Sequence, residues 1–394
     1  MKPRSRIMKI AVVTPIPTPY RDAFWNVVGE APDTNLHVLY CATGKPDRPW
    51  KIKWHMNFHH KFLKGWNLLG WKSREASLYC NPEVIIQLNH IQPEKVLIGG
   101  YNHLTMLLAM AWSVMNSRDF YLMCETNHLG KSKGIRSRLK RLFIEAIGRK
   151  SAGGFPTGKA ASRYLQFHGW KKDSLSYLPN VPDINGITKK LELLKAEGAQ
   201  IRSKWKIKDE KIIIYVGRLI KKKNVDHLIK AIANINPESR LALVVIGDGD
   251  QAQDLQSLSQ KLGTEKVTRF LGFLEPESIL EWFALASVFV LPSNETWGVA
   301  PIEAASAGLH LILSENVGSA FEISDRYSKI HIVQEGNIQQ WQTTILNAID
   351  SNHDLGEDRY ASSLTQHLLQ DWSYSALASR MLTFLTSKRK ISLV

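Results

Sequence analysis

Two cations in the second half of the chain have the types and spacing of a site for linked phosphates. Arg218 follows the apolar run 211–217, and Lys223 lies five residues further on. Arginine offers a planar fork of donors and lysine a compact point charge, and both suit phosphate oxygens. Lys221 and Lys222, in the same run, are more typical of a solvated basic loop. The pattern therefore predicts a diphosphate contact at Arg218 and Lys223.

Two glutamates, Glu295 and Glu303, lie eight residues apart across a glycine-containing turn that leads from a strand into a helix. The turn amides of Trp297, Gly298 and Val299 could donate to diphosphate oxygens, because the first N–H groups of a helix lack partners within it. Glu303 could accept hydrogen bonds from both hydroxyls of a ribose, as an acidic residue does in dinucleotide sites. Glu295 could bind hydroxyls of a donor sugar. Together with the two cations, these residues predict a nucleotide-sugar site.

Four pieces of the chain resemble the group 1 type of family four retaining glycosyltransferases, which have the GT-B fold. They are YVGRLIKKKNVDHLIKAI, LVVIGDGD, VTRFLGFLEPESILEWFALASVFVLPS and ETWGVAPIEAASAG, in the family's order and spacing, between about residues 211 and 325. The resemblance implies that Arg218 and Lys223 hold the donor diphosphate. It also implies that Glu295 and Glu303 contact the donor sugar and the ribose.

The same resemblance places the run Gly272, Phe273 and Leu274 along the nucleobase, largely through backbone groups. The chain departs from the family at two points of the site. Asn224 stands where the family usually has glycine, and Trp297 stands where it often has phenylalanine. The tryptophan could reshape the sugar pocket.

The triplet Asp248-Gly249-Asp250 resembles the metal-binding pattern of the other major glycosyltransferase fold. Here it lies at a strand end inside a GDG turn, where Gly247 and Gly249 permit a tight bend. The two cations and the helix N-terminus can supply the counter-charge that a metal would otherwise provide. We expect no metal and no other cofactor, since the nucleotide sugar is a substrate.

The first half of the chain resembles the family less closely. The stretch 14–28 is similar to its first strand-to-helix loop, with Tyr20 and Arg21 where many members have glycines. The run CETNHLG ends a strand where the family often has a histidine near the reacting carbon, so Glu125 and His128 are the catalytic candidates there. A lone histidine is more often structural, and both interpretations of His128 stand. Tyr20, Arg21 and His103 are candidates for binding the acceptor.

These motifs require strands to position them, and short apolar runs recur along the chain between segments with helical periodicity. The runs predict strands at 9–16, 36–42, 95–100, 120–126, 152–157, 175–180, 211–217, 241–247, 267–272, 288–293, 309–313 and 330–334. They are continuous rather than alternating, as in parallel strands buried on both faces. The predicted fold is α/β, with two Rossmann-like doubly wound domains facing across a cleft, as in GT-B. Ligands of such sheets bind beyond the carboxyl ends of the strands, where the motifs lie.

A Pro-, Asn- and Gly-containing break near residues 179–187 indicates the domain boundary. It predicts an N-terminal acceptor-binding domain over 1–183 and a C-terminal nucleotide-sugar-binding domain over 184–370. A helix within 371–394 could return to the N-terminal domain. Two domains also fit a chain of 394 residues.

The excess positive charge lies in the first half. Residues 1–190 carry 29 Lys and Arg against 12 Asp and Glu, whereas residues 191–394 carry 22 against 24. Segment 131–150 is a predicted basic helix with an apolar stripe, and segment 48–74 adds four tryptophans among further cations. This composition suits an anionic membrane surface; a core helix with a solvated face and an acceptor pocket lined by tryptophan is the open alternative. No nucleic-acid-binding motif accompanies the charge, so we expect no nucleic-acid partner.

The three cysteines, Cys41, Cys80 and Cys124, fit no zinc spacing and favour free thiols in a reducing compartment. No apolar run approaches the roughly 20 residues of a membrane-spanning helix. We therefore expect a cytoplasmic protein, in which the basic face could hold it peripherally on the inner side of the cell membrane.

These observations together predict a metal-independent hexosyltransferase in polysaccharide biosynthesis, and the family resemblance implies that it is a retaining enzyme. It would move a sugar from a nucleotide sugar, most simply a UDP-sugar, to a hydroxyl of a lipid-linked, glycolipid or polysaccharide-precursor acceptor. Two alternatives remain open. One is another GT-B enzyme, such as a sugar-nucleotide epimerase or a phosphorylase, and the other is a catalytically silent relative that binds membranes or partners.

Overall fold

The computed structural model describes residues 7–44, 55–70, 76–126, 135–208, 210–235, 240–325, 327–350 and 370–387. The chain divides into two compact units: Met1–Val181 together with Tyr374–Val394, and Pro182–Ser373. The first division lies two residues before the predicted boundary at 183, and the return to the first unit lies three residues after the predicted one at 370.

The first unit is built on a parallel sheet whose described strands number six, with helices between them. The strands are β1 (Met8–Thr14), β2 (Thr34–Tyr40), β3 (His59–Phe62), β6 (Lys95–Gly99), β7 (Asp119–Cys124) and β8 (Gly153–Pro156); β4 (Trp66–Asn67) and β5 (Tyr79–Cys80) form a separate antiparallel pair. The helices are α1 (Pro19–Gly29), α2 (Glu83–Ile91), α3 (Leu104–Met115), α4 (Ile135–Lys150) and α5 (Lys159–Phe167).

The second unit repeats this plan. Its described strands are β9 (Lys211–Val216), β10 (Leu241–Ile246), β11 (Thr268–Gly272), β12 (Val288–Leu291), β13 (His310–Ser314) and β14 (Ile330–Val333). Its described helices are α6 (Ile184–Ala196), α7 (Gly198–Lys204), α8 (Val225–Ala233), α9 (Ala252–Lys261), α10 (Pro276–Leu285), α11 (Ala300–Ser306), α12 (Ala320–Ser324) and α13 (Ile338–Asp350). All six strands lie where the apolar runs predict them.

Both sheets have the Rossmann strand order. The first runs β3-β2-β1-β6-β7-β8 and the second β11-β10-β9-β12-β13-β14, with every neighbouring pair parallel. The order reverses between β1 and β6 in one sheet and between β9 and β12 in the other. At such a switch point the connections leave in opposite directions and open a crevice beyond the carboxyl ends of the strands. The predicted α/β class and doubly wound sheets are confirmed.

The inner strands are largely apolar, as expected for parallel strands buried on both faces. All six residues of β10 and all five of β13 are buried, which removes the alternation seen in one-sided sheets. Burial of this kind supplies the main favourable term in folding, at about 25 cal/mol per Å² of apolar surface. The strand ends can therefore carry polar residues at no cost to the core.

One prediction about the first sheet was wrong, and one strand was missed. Segment 175–180 is not a strand: Leu175 makes an isolated bridge to Gly154, and the Ser176 and Leu178 amides donate to the Gly154 and Pro156 carbonyls of β8 at 3.0 Å, without a continuous ladder. The sixth strand is instead β3, at the opposite edge. Its residues, His-His-Lys-Phe, are mostly exposed, so it has no continuous apolar run for a sequence pattern to find.

The last described helix, α14 (Tyr374–Thr386), packs on the first unit against α1. The Phe384 ring lies 5.2 Å from that of Phe155 and 6.0 Å from that of Tyr121. The Tyr374 hydroxyl donates to the Val181 carbonyl at 3.3 Å, where the chain leaves the unit. The helix thus covers the side of the unit opened by the departing chain.

Candidate functional site

The switch point of the second sheet gathers the predicted diphosphate-binding cations. Arg218 follows the end of β9, and Lys223 closes a short 3₁₀ turn, Lys221–Lys223, that leads into α8. The buried Tyr215 hydroxyl donates to the Arg218 carbonyl at 3.0 Å and fixes the chain where it leaves the strand. Both cations therefore lie beyond the carboxyl end of the strand that borders the crevice.

Lys223 forms an ion pair with Glu295, which follows β12 on the other side of the switch point. The Ser293 hydroxyl donates to the same carboxylate oxygen of Glu295 at 2.9 Å. Burial lowers the pKa of the Lys223 ammonium, while Glu295 raises it and Arg218 lowers it further. The charges of Glu295 and Arg218 both change the pKa of Lys223, so the three groups form one electrostatic cluster.

The loop that carries Glu295 is held by its own backbone. The Glu295 amide donates to the Asn316 carbonyl and the Gly318 amide donates to the Glu295 carbonyl, both at 3.0 Å. A Cβ atom at Gly318 would lie 1.9 Å from the Thr296 carbonyl oxygen. Only glycine can occupy this crossing, so the position of Glu295 depends on it.

Glu303 lies in the first turn of α11, and its carboxyl makes no hydrogen bond or ion pair with any described residue. The side chain is partly buried, and burial raises its pKa to about 7. The preceding turn presents the amides of Gly298 and Val299, with Gly298 at a φ of 93°. A carboxyl without a protein partner is what a ligand's hydroxyls would require at this position.

The other residues predicted for the donor site are Trp297 and the run Gly272, Phe273 and Leu274, and their side chains differ in exposure. The Trp297 side chain is buried against the ring of Trp372, with centroids 5.9 Å apart, so it supports the turn from behind. The Phe273 ring is exposed, beside the partly buried Gly272 and Leu274. Gly272 ends β11, and the two residues after it carry an exposed aromatic face at the end of the strand.

The Asp248 carboxylate is committed to its own turn, where it accepts a hydrogen bond from the Gly249 amide at 2.7 Å. Gly247 has a φ of 139°, and a Cβ atom there would lie 1.8 Å from the Gly217 carbonyl oxygen. The glycines therefore serve close packing of two strand ends, as the sequence predicts. Among the described residues no group of three potential metal ligands occurs.

A cavity of about 280 Å³ lies at the switch point of the first sheet. It is bounded by the loops that follow β1, β6 and β7, and three predicted residues line it: Tyr20, Arg21 and His103. Glu125 lines it as well, so four candidates from separate segments share one cavity. Thr18 and Tyr101, which sequence reasoning did not identify, also line it.

Arg21 and Glu125 are held in this cavity by the segment that leaves the unit. Arg21 donates to the Leu178 carbonyl at 3.3 Å, and Glu125 accepts a hydrogen bond from the Asn180 side chain at 2.7 Å. Burial lowers the pKa of Arg21, and the nearby Glu125 opposes that shift. Asn180 has no motif of its own, and its role follows only from the fold.

His103 is buried, and its Nδ1 accepts a hydrogen bond from the Tyr79 amide at 3.3 Å. Its other ring nitrogen is then the protonated one, because neutral imidazole has one donor and one acceptor. The ring also contacts the Tyr79 ring, with centroids 4.9 Å apart. His103 is therefore partly structural while lining the cavity. The other histidine candidate, His128, lies outside the described residues.

Helix α4 presents an exposed apolar and basic surface. Leu139 and Leu142 are each 60% exposed, and Phe143 is exposed beside them. The Arg141 guanidinium lies 5.8 Å from the exposed Phe167 ring of α5. The Phe143 ring is 6.3 Å from the ring of Tyr101, which lines the cavity. The apolar surface is thus continuous with one wall of the cavity.

Of the four tryptophans in segment 48–74, Trp66 is described and is exposed, whereas Trp50, Trp54 and Trp71 lie outside the described residues. No helix in the described part of the chain is both long and apolar enough to cross a bilayer.

Comparison with known proteins gives the following similarities. Residues 198–362 match the family model described as glycosyl transferases group 1. The Anabaena protein Alr3699/HepE, solved in complex with UDP, superposes with a TM-score of 0.75 at 16% identity, covering 97% of this chain and 100% of that one. The fold is that of the GT-B glycosyltransferases.

Two curated relatives carry more specific names. The uncharacterized glycosyltransferase MJ1607 of Methanocaldococcus jannaschii is 36% identical over 116 residues, which are 29% of this chain and 30% of that protein. A GDP-mannose-dependent alpha-(1-6)-phosphatidylinositol monomannoside mannosyltransferase of Mycobacterium tuberculosis is 24% identical over 245 residues, 59% of this chain and 60% of that protein. The chain thus spans less than two thirds of the length of both relatives.

Proposed function

We propose that this protein is a retaining, metal-independent glycosyltransferase that moves a sugar from a nucleotide sugar to an acceptor hydroxyl. One observation carries the proposal. At the switch point of the second sheet, Glu295 pairs with the cation Lys223 beyond β12, and Glu303, in the helix that follows the same strand, has a carboxyl without a partner among the described residues. Cations for a diphosphate and a carboxyl for a ribose are the two contacts that a nucleoside diphosphate needs.

The chemistry follows from these contacts. The acceptor oxygen attacks the anomeric carbon, and the bond from that carbon to the diphosphate breaks with its electron pair going to the leaving phosphate. Arg218 and Lys223 neutralise the charge that develops there, which is the strongest general device for lowering such a barrier. The described site offers no nucleophile paired with a general acid, so a leaving phosphate oxygen takes the acceptor proton on the same face. This route gives retention of configuration and uses no metal.

We propose a UDP-sugar as the first donor to test, with a GDP-sugar as the alternative. A solved structural neighbour binds UDP, whereas the mycobacterial relative is named for GDP-mannose. The exposed Phe273 beside Gly272 offers a stacking face that either base could use. The donor sugar would lie near Glu295, whose carboxylate Lys223 holds in place.

We propose that the acceptor occupies the cavity of the first unit and is lipid-linked or a glycolipid. Arg21, Glu125 and His103 give this cavity a mixed polar lining suited to a hydroxylated ligand. The apolar and basic surface of α4 continues from its wall at Tyr101, so a lipid-held acceptor could reach the cavity from an anionic membrane. The mycobacterial relative is named for a phosphatidylinositol monomannoside acceptor, which is a molecule of this kind.

Calorimetric titration with UDP-, GDP- and ADP-sugars tests the proposal. The wild-type protein should bind one of them, and Glu303→Ala should weaken that binding at least tenfold. The matched control is Glu265→Ala, because Glu265 is an exposed glutamate of the same unit that precedes β11, whereas the site motifs lie at the carboxyl ends of the strands. Equal binding by both variants would remove Glu303 from the site.

Product analysis separates the rival functions. Incubation of the bound donor with lipid extract should yield a glycosylated lipid with retained configuration. Formation of an epimerised nucleotide sugar would indicate an epimerase, and phosphate-dependent release of sugar phosphate would indicate a phosphorylase. Donor binding without any product would identify a catalytically silent relative.

A further inference from the structure

Beyond the cluster at the switch point, a single carboxylate links the two segments that carry Lys223 and Glu295. Glu335, in the loop after β14, accepts a hydrogen bond on Oε1 from the Asn224 side chain at 2.9 Å. Its second oxygen, Oε2, accepts from the Asn316 side chain at 2.6 Å. The carboxylate is thus shared between two amides that are distant in sequence.

Asn224 connects this carboxylate to the cation segment. It directly follows Lys223 and adopts a left-handed conformation, with φ 51° and ψ 37°, which asparagine tolerates better than most residues. Its side-chain amide also donates to the Pro292 carbonyl at 3.1 Å, just beyond β12. Glycine, the residue that the resemblance implies here, would give the same backbone without either contact.

Asn316 connects the carboxylate to the other segment. Its backbone carbonyl accepts the Glu295 amide at 3.0 Å, so a shift of Asn316 would move Glu295 directly. A backbone hydrogen bond from the Asn294 amide to the Lys222 carbonyl, also 3.0 Å, joins the two segments at a second point. Lys222 and Asn294 directly precede Lys223 and Glu295 in sequence, so this backbone bond also links the segments that carry the ion pair.

We propose that Glu335 is a positioning residue for the donor site, which sets the separation of Lys223 and Glu295 through Asn224 and Asn316. It is exposed and contributes no apolar surface to the core, so its carboxylate acts on the loops and not on the fold. The inference rests on the proposed function, because the two loops matter only if they receive a nucleotide sugar. With the bridge in place the site is preorganised, and the ligand spends no binding energy on ordering it.

Titration calorimetry with UDP-glucose and GDP-mannose tests this on four variants of the full chain. They are Glu335→Ala, Asn224→Gly, the combination of both, and the control Gln334→Ala. Gln334 is the exposed neighbour of Glu335, and its side chain makes no hydrogen bond with a described residue. Asn224→Gly removes the side-chain bridge, and glycine adopts the left-handed backbone conformation of this position without strain. Urea unfolding of each variant shows whether the fold is intact.

We expect Glu335→Ala to weaken donor binding about tenfold, the size of one charge-assisted hydrogen bond. The combined variant should weaken binding by less than the product of the two single losses, because both changes break the same bridge, while Asn224→Gly alone also removes the hydrogen bond to the Pro292 carbonyl. Gln334→Ala should bind as the wild type does, and all urea midpoints should agree. Donor binding by Glu335→Ala equal to that of the wild type overturns the inference, as do independent, multiplying losses in the combined variant. A wild-type protein that binds neither nucleotide sugar overturns the proposed function itself.

Discussion

Lys223 and Glu295 are an ion pair that joins the loops beyond β9 and β12, the two strands between which the order of the second sheet reverses. The lysine is buried, and the glutamate is further fixed by the Ser293 hydroxyl at 2.9 Å. A charge pair in this position keeps the crevice ready for a ligand without leaving a bare charge inside it. The two partners are 72 residues apart in sequence, so the ion pair forms only when the loops after β9 and β12 are correctly placed relative to each other.

Removing either partner of this pair should destabilise the protein, since the remaining charge would be buried without compensation. We expect Lys223→Met and Glu295→Gln each to lower the free energy of unfolding by about 2 kcal/mol, somewhat less than a fully buried pair would. The double variant should lose less than the sum of the two. Urea unfolding measures all three.

The exposed pair Lys190–Glu277, with 3.5 Å between Nζ and Oε1, provides the matched control. Lys190→Met should change the free energy of unfolding by no more than about 0.5 kcal/mol, because solvent screens such pairs. Comparable losses of unfolding free energy in Lys190→Met and Lys223→Met would show that burial does not determine the contribution of the Lys223–Glu295 pair.

Donor binding should strengthen as the pH rises through about 7, because Glu303 must be ionised to accept two ribose hydroxyls. Its carboxyl has a pKa of about 7 in the unliganded protein. Below that value, binding must also release a proton, so the affinity for a nucleotide sugar should fall roughly tenfold from pH 8 to pH 6. Titrations of the wild type and of Glu303→Gln over this range measure the effect. We expect Glu303→Gln to bind the donor weakly and with an affinity that does not change with pH. An equal pH slope in both proteins would assign the titration to another group.

The stability of the first unit should fall as the pH rises through about 7, because of the buried Asp22. This carboxyl is 4% exposed, accepts the Tyr40 hydroxyl at 2.5 Å on Oδ1, and burial raises its pKa to about 7. The folded state then holds a proton that the unfolded state releases above pH 4, so stability from this group is complete at low pH and lost near neutrality. Three pKa units correspond to at most about 4 kcal/mol.

Asp22→Asn keeps the neutral shape and the acceptor for Tyr40, and removes the titration. The difference in unfolding free energy between this variant and the wild type should therefore grow in favour of the variant from pH 5 to pH 8. A difference that stays constant over this range would mean that Asp22 does not titrate there.

Exposed leucines on α4 should contribute to membrane binding. Leu142→Ser should lower binding to vesicles containing one third phosphatidylglycerol about fivefold, because a leucine inserted at the headgroup boundary loses its apolar contact. Leu193→Ser, at a 69% exposed leucine of α6, is the control and should bind as the wild type does. Raising the salt concentration should weaken binding of all three proteins, since the cations of α4 act through the surface potential. If the protein sedimented equally with neutral and with anionic vesicles, the cations of α4 would not contribute to membrane binding, and the prediction would be wrong.

The sequence was most informative where burial dictates residue type. Every strand of the second sheet could be predicted, because strands covered on both faces must be continuous apolar runs. The edge strand β3 could not, since its His-His-Lys-Phe sequence satisfies no such constraint. Segment 175–180 had the apolar residues of a strand, and its Ser176 and Leu178 amides do donate to β8. It forms no continuous ladder, and it also holds Arg21 and Glu125 through Leu178 and Asn180.

The candidate site shows the same division between local and distant information. Arg218, Lys223, Glu295 and Glu303 could be proposed from spacing, because each follows a strand or begins a helix. Their mutual contacts could not: the structure shows that Glu295 pairs with Lys223, which holds its carboxylate in place. Trp297 could be identified as a turn residue, whereas its packing on Trp372 depends on the return of the chain. Asn224 and Glu335 are 111 residues apart, and only the fold brings them together.

The most direct test of the account is a crystal structure of the protein with a bound nucleotide sugar. We predict diphosphate oxygens against Arg218 and Lys223, and both ribose hydroxyls within hydrogen-bond distance of Glu303. A nucleotide bound elsewhere, with Glu303 still lacking a partner, would contradict the central claim.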